Sequence, residues 1–356
     1  MPDDMFGTYS YEEITSQGRA WAEVIPLVTQ HSNSILEIFN GIEEVIFTGC
    51  GSALNAAFSG APIFQALTGI PARAIPAAET YLFPTSALNS RRKTLAVLLS
   101  RSGKTTEVVQ ALDFLRGMIV RTIGITCTPG SSLASGSDVA LLLTPVEERS
   151  VATTRSLSGM ILALQLMAAI VGGEQAYLDE LYALPQICEE RMPSFEDLGK
   201  RIGQRLDVER YAFVGNGPFY GIARECQLKV KEMALLPVDA YPLFDFRHGP
   251  QSNVNERMLV TAFISDSARV GEIQFLEDMK AFGGLTWAVC ERADEALQVG
   301  GSAADYTLEL NSGVSQFARP PLYLPAVQFM AYYRALSQGL NPDHPHQLSY
   351  WVDTTR

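Results

Sequence analysis

Three observations predict a repeated α/β fold for this chain of 356 residues: strand-like runs that occur twice in the same order, apolar runs that are continuous rather than alternating, and helical segments between them. Val45-Ile-Phe-Thr-Gly49-Cys-Gly51-Ser52 and Tyr211-Ala-Phe-Val-Gly215-Asn-Gly217-Pro218 each place a glycine turn after an apolar run, at an offset of 215 − 49 = 166. Ala96–Ser100 and Thr261–Ser265 repeat at 265 − 100 = 165, and Ser137–Leu143 and Ala304–Leu310 at 304 − 137 = 167. Leu95–Leu99, Thr122–Thr126 and Val139–Leu143 are unbroken Val/Leu/Ile/Thr runs. Parallel strands covered by helices on both faces have that composition. The predicted architecture is α/β, three-layered and present twice.

In chain order, helical spacing of Trp21, Val24, Ile25, Leu27, Val28, Ile35, Leu36 and Phe39 predicts a leading helix within residues 11–39. The first domain is expected over 1–195, with its core at about 40–170, and the second over 196–356. Ala183–Glu209 is charged, carries Pro185 and Pro193, and reads as the connection, with a helix at Glu196–Leu206. Leu157–Val171 is apolar but contains Ser158 and Gln165 and is shorter than the roughly 20 residues a bilayer requires. It reads as a buried helix. Pro320-Pro321 opens a last helix through Leu336, and a polar tail from Asn341 to Arg356 either caps a site or is disordered.

Composition excludes several function classes. With 39 acidic and 27 basic residues the net charge is −12, and no basic stripe offers a phosphate backbone a surface, so nucleic acid is not an expected partner. Five scattered cysteines in apolar surroundings read as reduced core residues of a cytoplasmic protein. Met1-Pro-Asp-Asp lacks the features of a secretory signal, and no membrane association is expected. His344-Pro-His346 with Asp343 lacks a third ligand cluster and zinc-site spacing, so neither a metal nor another cofactor is expected.

The segment Ala96-Val-Leu-Leu-Ser100-Arg101-Ser102-Gly103-Lys104-Thr105-Thr106-Glu107 reads as a buried strand, a hydroxyl-rich turn and a helix start. Helix starts expose unpaired N–H groups and the positive end of the macrodipole, and Ser and Thr hydroxyls add neutral donors, a combination suited to a phosphate. A nucleotide P-loop is rejected because its first glycine position holds Leu98. Helix capping alone accounts for one hydroxyl but not four. Gly49-Cys50-Gly51-Ser52 begins like a dinucleotide fingerprint but has Leu54 at the third glycine, which leaves a strand end where backbone approaches a ligand closely.

In the second half, Glu225, Lys229 and Glu232 fall at i, i+4 and i+7 of a helical segment. A solvated ion-pair face explains such a triplet, but the neighbouring Ile222, Cys226, Val230 and Met233 suggest shelter, where a carboxylate is tuned into a base. His248 follows in the turn Asp245-Phe246-Arg247-His248-Gly249-Pro250. A lone turn histidine is commonly structural; one that follows a helical carboxylate also suits proton transfer.

These motifs resemble the sugar isomerase (SIS) family over nearly the whole chain. The resemblance implies two tandem SIS domains, each a three-layer α/β/α sandwich with a mainly parallel, flavodoxin-like sheet. It implies that Ser100, Arg101, Ser102 and Thr105, with Ser52 nearby, bind a substrate phosphate. Glu148-Arg-Ser-Val151-Ala152-Thr153-Thr154 is similar to the family segment that contacts sugar hydroxyls, which implies sugar-binding roles for Gly51, Glu148, Val151 and Thr153. Ala223–Glu232 and Phe246–Pro250 are similar to the catalytic helix and turn in the isomerase half of glucosamine-6-phosphate synthase, which implies that Glu232 moves a proton between C1 and C2, that His248 helps open the ring across a homodimer interface, and that Lys229 assists. The wording around Gly215–Pro218 and Phe246–Glu256 looks closest to the galactosamine-6-phosphate deaminase/isomerase branch.

The chain begins at Met1-Pro2 without a glutaminase segment, so glutamine-dependent synthesis is not expected, and Tyr350 stands where relatives of this kind carry a lysine. The expected activity is a sugar-phosphate isomerase or deaminase acting on an amino-sugar- or ketose-6-phosphate. The alternatives are a deglycase of a phosphorylated sugar-amine conjugate and a sugar-phosphate-binding regulator without catalysis.

Overall fold

The computed structural model describes residues 6–353. They form two compact units, one of residues 16–189 with 347–353 and the other of 6–15 with 190–346. The chain opens with α1 (Thr8–Thr15), which belongs to the second unit. The first unit contains α2 (Gln17–Thr29), α3 (Ser32–Phe39), β1 (Glu44–Gly49), α4 (Ser52–Thr68), β2 (Ala72–Pro76), α5 (Ala77–Leu82), α6 (Pro84–Ala87), β3 (Thr94–Leu99), α7 (Thr106–Gly117), β4 (Arg121–Thr126), α8 (Ser132–Gly136), β5 (Val139–Leu142) and α9 (Arg155–Gly172). After the long helix α10 (Gln175–Gly203), the second unit continues through β6 (Arg210–Gly215), α11 (Pro218–Ala234), β7 (Val238–Tyr241), β8 (Met258–Phe263), α12 (Arg269–Ala281), β9 (Leu285–Cys290), β10 (Tyr306–Glu309) and α13 (Leu324–Ser337).

Each unit is built on a five-stranded sheet, in which every pair is parallel, in the order β2-β1-β3-β4-β5 and its counterpart β7-β6-β8-β9-β10. All six residues of β1 and of β8 are buried, as two covered sheet faces demand. Strand register refines the repeat. Glu44 pairs with Thr94, and Arg210 with Met258, so the first strands are offset by 210 − 44 = 166 but the third strands by 258 − 94 = 164. Ser100 therefore aligns with Ile264 rather than with Ser265. The loop that follows is one residue shorter in the second unit, 264–268 against 100–105.

Helix α9 is the spine of the first unit. Every residue from Ser156 to Ala169 is buried. Its length and apolarity would allow it to cross a membrane, and here the unit buries most of it. Its buried Ser158 is satisfied within the unit: Trp21 Nε1 donates to Ser158 Oγ at 2.9 Å, and that hydroxyl donates to Gln17 Oε1 at 2.7 Å.

Three departures from the sequence reading have physical causes. The leading helix is three helices, broken after Thr15 and Thr29. The first of them joins the second unit because Asp343 caps it: Oδ1 accepts from Ser10 N and Ser10 Oγ, both at 2.7 Å, and Oδ2 accepts from Tyr9 N at 3.1 Å. The connection is not an irregular linker, since α10 runs unbroken past Pro185 and Pro193, and the division between units falls within it, at 189/190 rather than 195. Leu181, Leu184, Cys188, Met192, Phe195, Leu198 and Ile202 recur every three or four residues and are all buried. Burying such side chains gains roughly 1.5–3 kcal/mol each, which outweighs a helix-interior proline at about 3 kcal/mol. The polar tail is shared: its first part caps α1, and residues 347–353 join the first unit. Asp343→Ala, by leaving three buried donors short of an acceptor, is expected to lower the stability of the second unit by about 2 kcal/mol, read as a lowered urea midpoint at unchanged slope.

Candidate active site

In a sheet ordered 2-1-3-4-5 the connections after strands 1 and 3 leave in opposite directions, so a crevice opens at the carboxyl ends of those two strands. In the first unit these ends are Gly49-Cys50-Gly51-Ser52 and Ser100–Thr105, the two segments that the sequence reading marked. Gly51 takes φ +55 and ψ −126, and its counterpart Gly217 takes φ +54 and ψ −128, backbone that a side chain resists. Each is followed by a helix of 17 residues whose N-cap makes no side-chain bond.

The hydroxyl loop is held by its own side chains. Ser100 Oγ accepts from Gly103 N at 3.1 Å and lies 3.1 Å from Thr105 Oγ1, and Ser102 Oγ accepts from Lys104 N at 3.2 Å. Gly103 has φ +63, and a Cβ there would fall 2.1 Å from Ser131 Oγ. Thr105 is the N-cap of α7 without capping it through its side chain, so a purely capping account of the hydroxyls fails. Across the crevice, Ser52 at the first position of α4 accepts from Thr153 Oγ1 at 2.6 Å. Ser52, Gly51, Val151, Thr153 and Thr105 retain solvent exposure, whereas Ser100 and Ser102 are nearly covered.

Arg101 and Glu148 stand differently from the expected ligand roles. Arg101 is 8% exposed, and its guanidinium donates to Ser150 O at 3.1 Å, Val151 O at 3.0 Å, Glu148 Oε2 at 3.4 Å and Tyr350 O at 2.9 Å. Glu148 is buried, and its carboxylate also accepts from Thr154 N at 2.6 Å, Thr154 Oγ1 at 2.8 Å and the Ser156 hydroxyl. Through these inward bonds the pair braces the segment 148–154.

The tail completes the brace. The Tyr350 ring lies 4.0 Å from the Arg101 guanidinium carbon, its hydroxyl donates to Glu148 O at 2.8 Å, and burial pushes its pKa up to about 12. Val352 O accepts from both Thr106 N and Thr106 Oγ1 at 3.3 Å, and Lys104 stands over Trp351. Tyr350 is thus a neutral prop. Nothing in the tail's composition distinguished this contact from disorder; the signal was Tyr350 in place of lysine.

In the second unit, α11 aligns Glu225, Lys229 and Glu232 on one face. Lys229 Nζ lies 3.4 Å from Glu225 Oε1 and 2.5 Å from Glu232 Oε2. Glu225 and Lys229 are fully buried and Glu232 is partly exposed, so the face is sheltered rather than solvated. The buried ammonium fixes the Glu232 carboxylate while leaving one edge of it open. His248 is exposed between the 3-10 turns Leu243–Arg247 and Pro250–Asn253. The turn is anchored by buried Phe246 and by Arg247, which meets Asp278 at 2.9 Å.

The second unit's own switch-point crevice is closed by residues that the sequence reading did not single out. Glu272 is fully buried, accepts from Ser265 N at 2.6 Å, Ser265 Oγ at 3.0 Å and Asn216 Nδ2 at 2.8 Å, and burial raises its pKa. Next to it Asp266 pairs with Arg319, whose side chain is wholly buried. Where the first unit offers neutral hydroxyls, the second places its own carboxylates.

A family profile, the SIS domain, matches residues 38–170. This stretch is a SIS domain. Beyond it, the chain is 27% identical over 334 residues to the glutamine–fructose-6-phosphate aminotransferase (isomerizing) of Methanothermobacter thermautotrophicus, covering 93% of this chain and 54% of that protein. It is 29% identical over 320 residues to the Arabidopsis thaliana enzyme of that name, covering 87% and 46%. The chain spans about half the length of the curated relatives it matches. Among solved structures, glucosamine-6-phosphate deaminase from Thermotoga maritima is 28% identical with a TM-score of 0.76, covering 97% of this chain and 99% of that one. Tagatose-6-phosphate ketose/aldose isomerase from Escherichia coli is 25% identical with a TM-score of 0.85, covering 96% and 97%. The SIS domain so identified contains the whole hydroxyl loop, Ser52 and Glu148–Thr154.

Cys50, in the SIS-domain crevice, is half-buried; burial, helped by Glu107, raises its thiol to about 11, while the other four cysteines are fully buried. Because the thiolate is the reactive form, iodoacetamide is expected to label Cys50 first but slowly at pH 7, with a rate that climbs until about pH 11. The raised value also means that the stabilising contribution of this thiol is whole below the unfolded-state value near 8.5 and is lost as pH rises from there toward 11. Peptide mapping of labelled protein across that range checks both order and slope.

Proposed function

We propose that this chain is a sugar-phosphate isomerase or deaminase that acts on an amino-sugar-6-phosphate or ketose-6-phosphate by proton transfer between C1 and C2. The observation that carries the reading is the contrast between the two units: a charge-poor hydroxyl loop at the switch point of the first, and a carboxylate clamped by a buried lysine on α11 of the second. In this reading Ser100, Ser102 and Thr105, with Ser52, hold the phosphate dianion through hydrogen bonds. Gly51, Val151 and Thr153 line the sugar's path, and Arg101 and Glu148 keep that wall in place.

The proton chemistry falls to Glu232. Its carboxylate takes the proton from C1 of an open-chain ketose, the electrons pass into a C1–C2 enediol, and the proton returns to C2 to give the aldose. For a 2-amino-2-deoxy aldose the carboxylate takes the proton from C2 and returns it to C1, the C2 imine so formed adds water, and the carbinolamine expels ammonia to leave the ketose. Lys229 positions Glu232, and His248 exchanges the ring-opening proton. The relatives named above, an isomerase, a deaminase and an isomerizing aminotransferase, support this class of reaction. A homodimer is part of the proposal. No metal or cofactor is invoked.

Tyr350 favours a second reading. A phenol raised to about 12 and bound to Glu148 O supplies neither an amine for a Schiff base nor a proton for ring opening. A deglycase that receives an already linear sugar-amine 6-phosphate would need neither, and would release an amine other than ammonia.

Incubation with glucosamine-, galactosamine-, fructose- and tagatose-6-phosphate, following ammonia and ketose together, tests the proposal. Turnover of one member is the expected result; binding across the panel without any turnover would identify a regulator instead. With the substrate found, Glu232→Gln is expected to lower kcat by about 10²–10⁴-fold with little change in phosphate affinity. Ser102→Ala is expected to raise KM severalfold, the loss of about 1 kcal/mol of hydrogen bonding.

A further inference from the structure

At the end of the first unit's sheet away from the hydroxyl loop, a cavity of about 630 Å³ opens where β1, β3 and β4 begin, bordered by Thr94 and Arg121. That volume lies in the range of small-molecule sites. Leu88, Phe114 and Met118 give it an apolar wall, and Arg92 and Lys93 stand exposed on its rim. Arg121 is committed elsewhere, donating to Ile38 O at 3.0 Å and Asn40 O at 2.9 Å, but its charge remains at the wall. In a chain with 39 acidic residues, no Asp or Glu lines this cavity among the described residues.

An independent observation marks the same rim. Ile119 is 92% exposed and has φ +58. The turn that ends α7, with Val120 N on Leu115 O at 3.0 Å and Ile119 N on Arg116 O at 3.0 Å, requires a left-handed residue at this position, which glycine fills without strain. A β-branched side chain is disfavoured there, and this one gains no burial within the unit in return.

We propose that this cavity binds a small molecule with a planar apolar body and an acidic group, the body against Phe114 and Met118 under Ile119, the acid at Arg92 and Lys93. The inference concerns binding alone and does not rest on the proposed reaction.

The test uses 8-anilinonaphthalene-1-sulfonate as the probe, titrated by fluorescence, with hydrogen exchange to locate it. One saturable site per chain, protecting amides of 114–121, is expected. Arg92→Glu with Lys93→Glu is expected to weaken binding by about tenfold, through reversed charge at the rim. Ile119→Gly is expected to keep or raise the thermal midpoint while weakening the probe severalfold, which separates binding from folding. Protection elsewhere, displacement by millimolar inorganic phosphate, absence of a saturable site, or unchanged affinity in both variants would each overturn the proposal. None of these outcomes bears on turnover of sugar phosphates.

Discussion

A buried guanidinium must find acceptors for its N–H groups, and in the first unit Arg101 finds them in four places at once. The Glu148 carboxylate and the carbonyls of Ser150, Val151 and Tyr350 converge on it. Arg101 sits in the hydroxyl loop, and its acceptors belong to two further stretches without regular structure, the segment before α9 and the tail. Loops of this kind lack the ladder bonds that fix strands, so their placement depends on such side-chain bridges. Glu148 plays the complementary part, since its second oxygen orders Thr154 at the start of α9. One ion pair therefore ties the hydroxyl loop to the segment before α9.

The duplication shows how one topology carries two chemistries. Both sheets have the order 2-1-3-4-5, both first-strand turns use a glycine at nearly identical φ and ψ, and both lead into helices of 17 residues. What differs is who satisfies the crevice. In the first unit, hydroxyls bond to one another; in the second, Glu272 takes the donors of Ser265 and Asn216. An internal carboxylate held by three hydrogen bonds excludes an external anion by charge and by space. The second unit's contribution has moved onto α11 instead, where a lysine with two carboxylates makes a sheltered charge cluster.

Much of this was legible from residue order because it depends on short-range pattern. Continuous apolar runs gave the parallel strands nearly to the residue, and the i, i+4, i+7 spacing placed Glu225, Lys229 and Glu232 together before their burial was known. The hydroxyl run after Leu99 located the crevice. Local pattern failed where long-range contacts decide. Prolines in α10 read as a break, because the stripe from Leu181 to Ile202 reveals its value only once something buries it. Matching serine to serine misaligned the third strands by one residue, because strand register, not identity, defines equivalence. Arg101 and Glu148 were read as ligand contacts because charge in a motif does not say which way it points.

The sequence by itself determined the class of fold, its repetition and the positions of the hydroxyl and carboxylate motifs, since strands, helices and turns follow from periodicity and glycine placement over a few residues. Only the tertiary structure decided that Asp343 caps a helix more than 330 residues away, that residues 347–353 divide from the segment before them and belong to the first unit, and that Glu272 fills one crevice while the other stays lined with hydroxyls. Those outcomes turn on which buried donor meets which acceptor across the chain, and a linear pattern carries no record of that pairing.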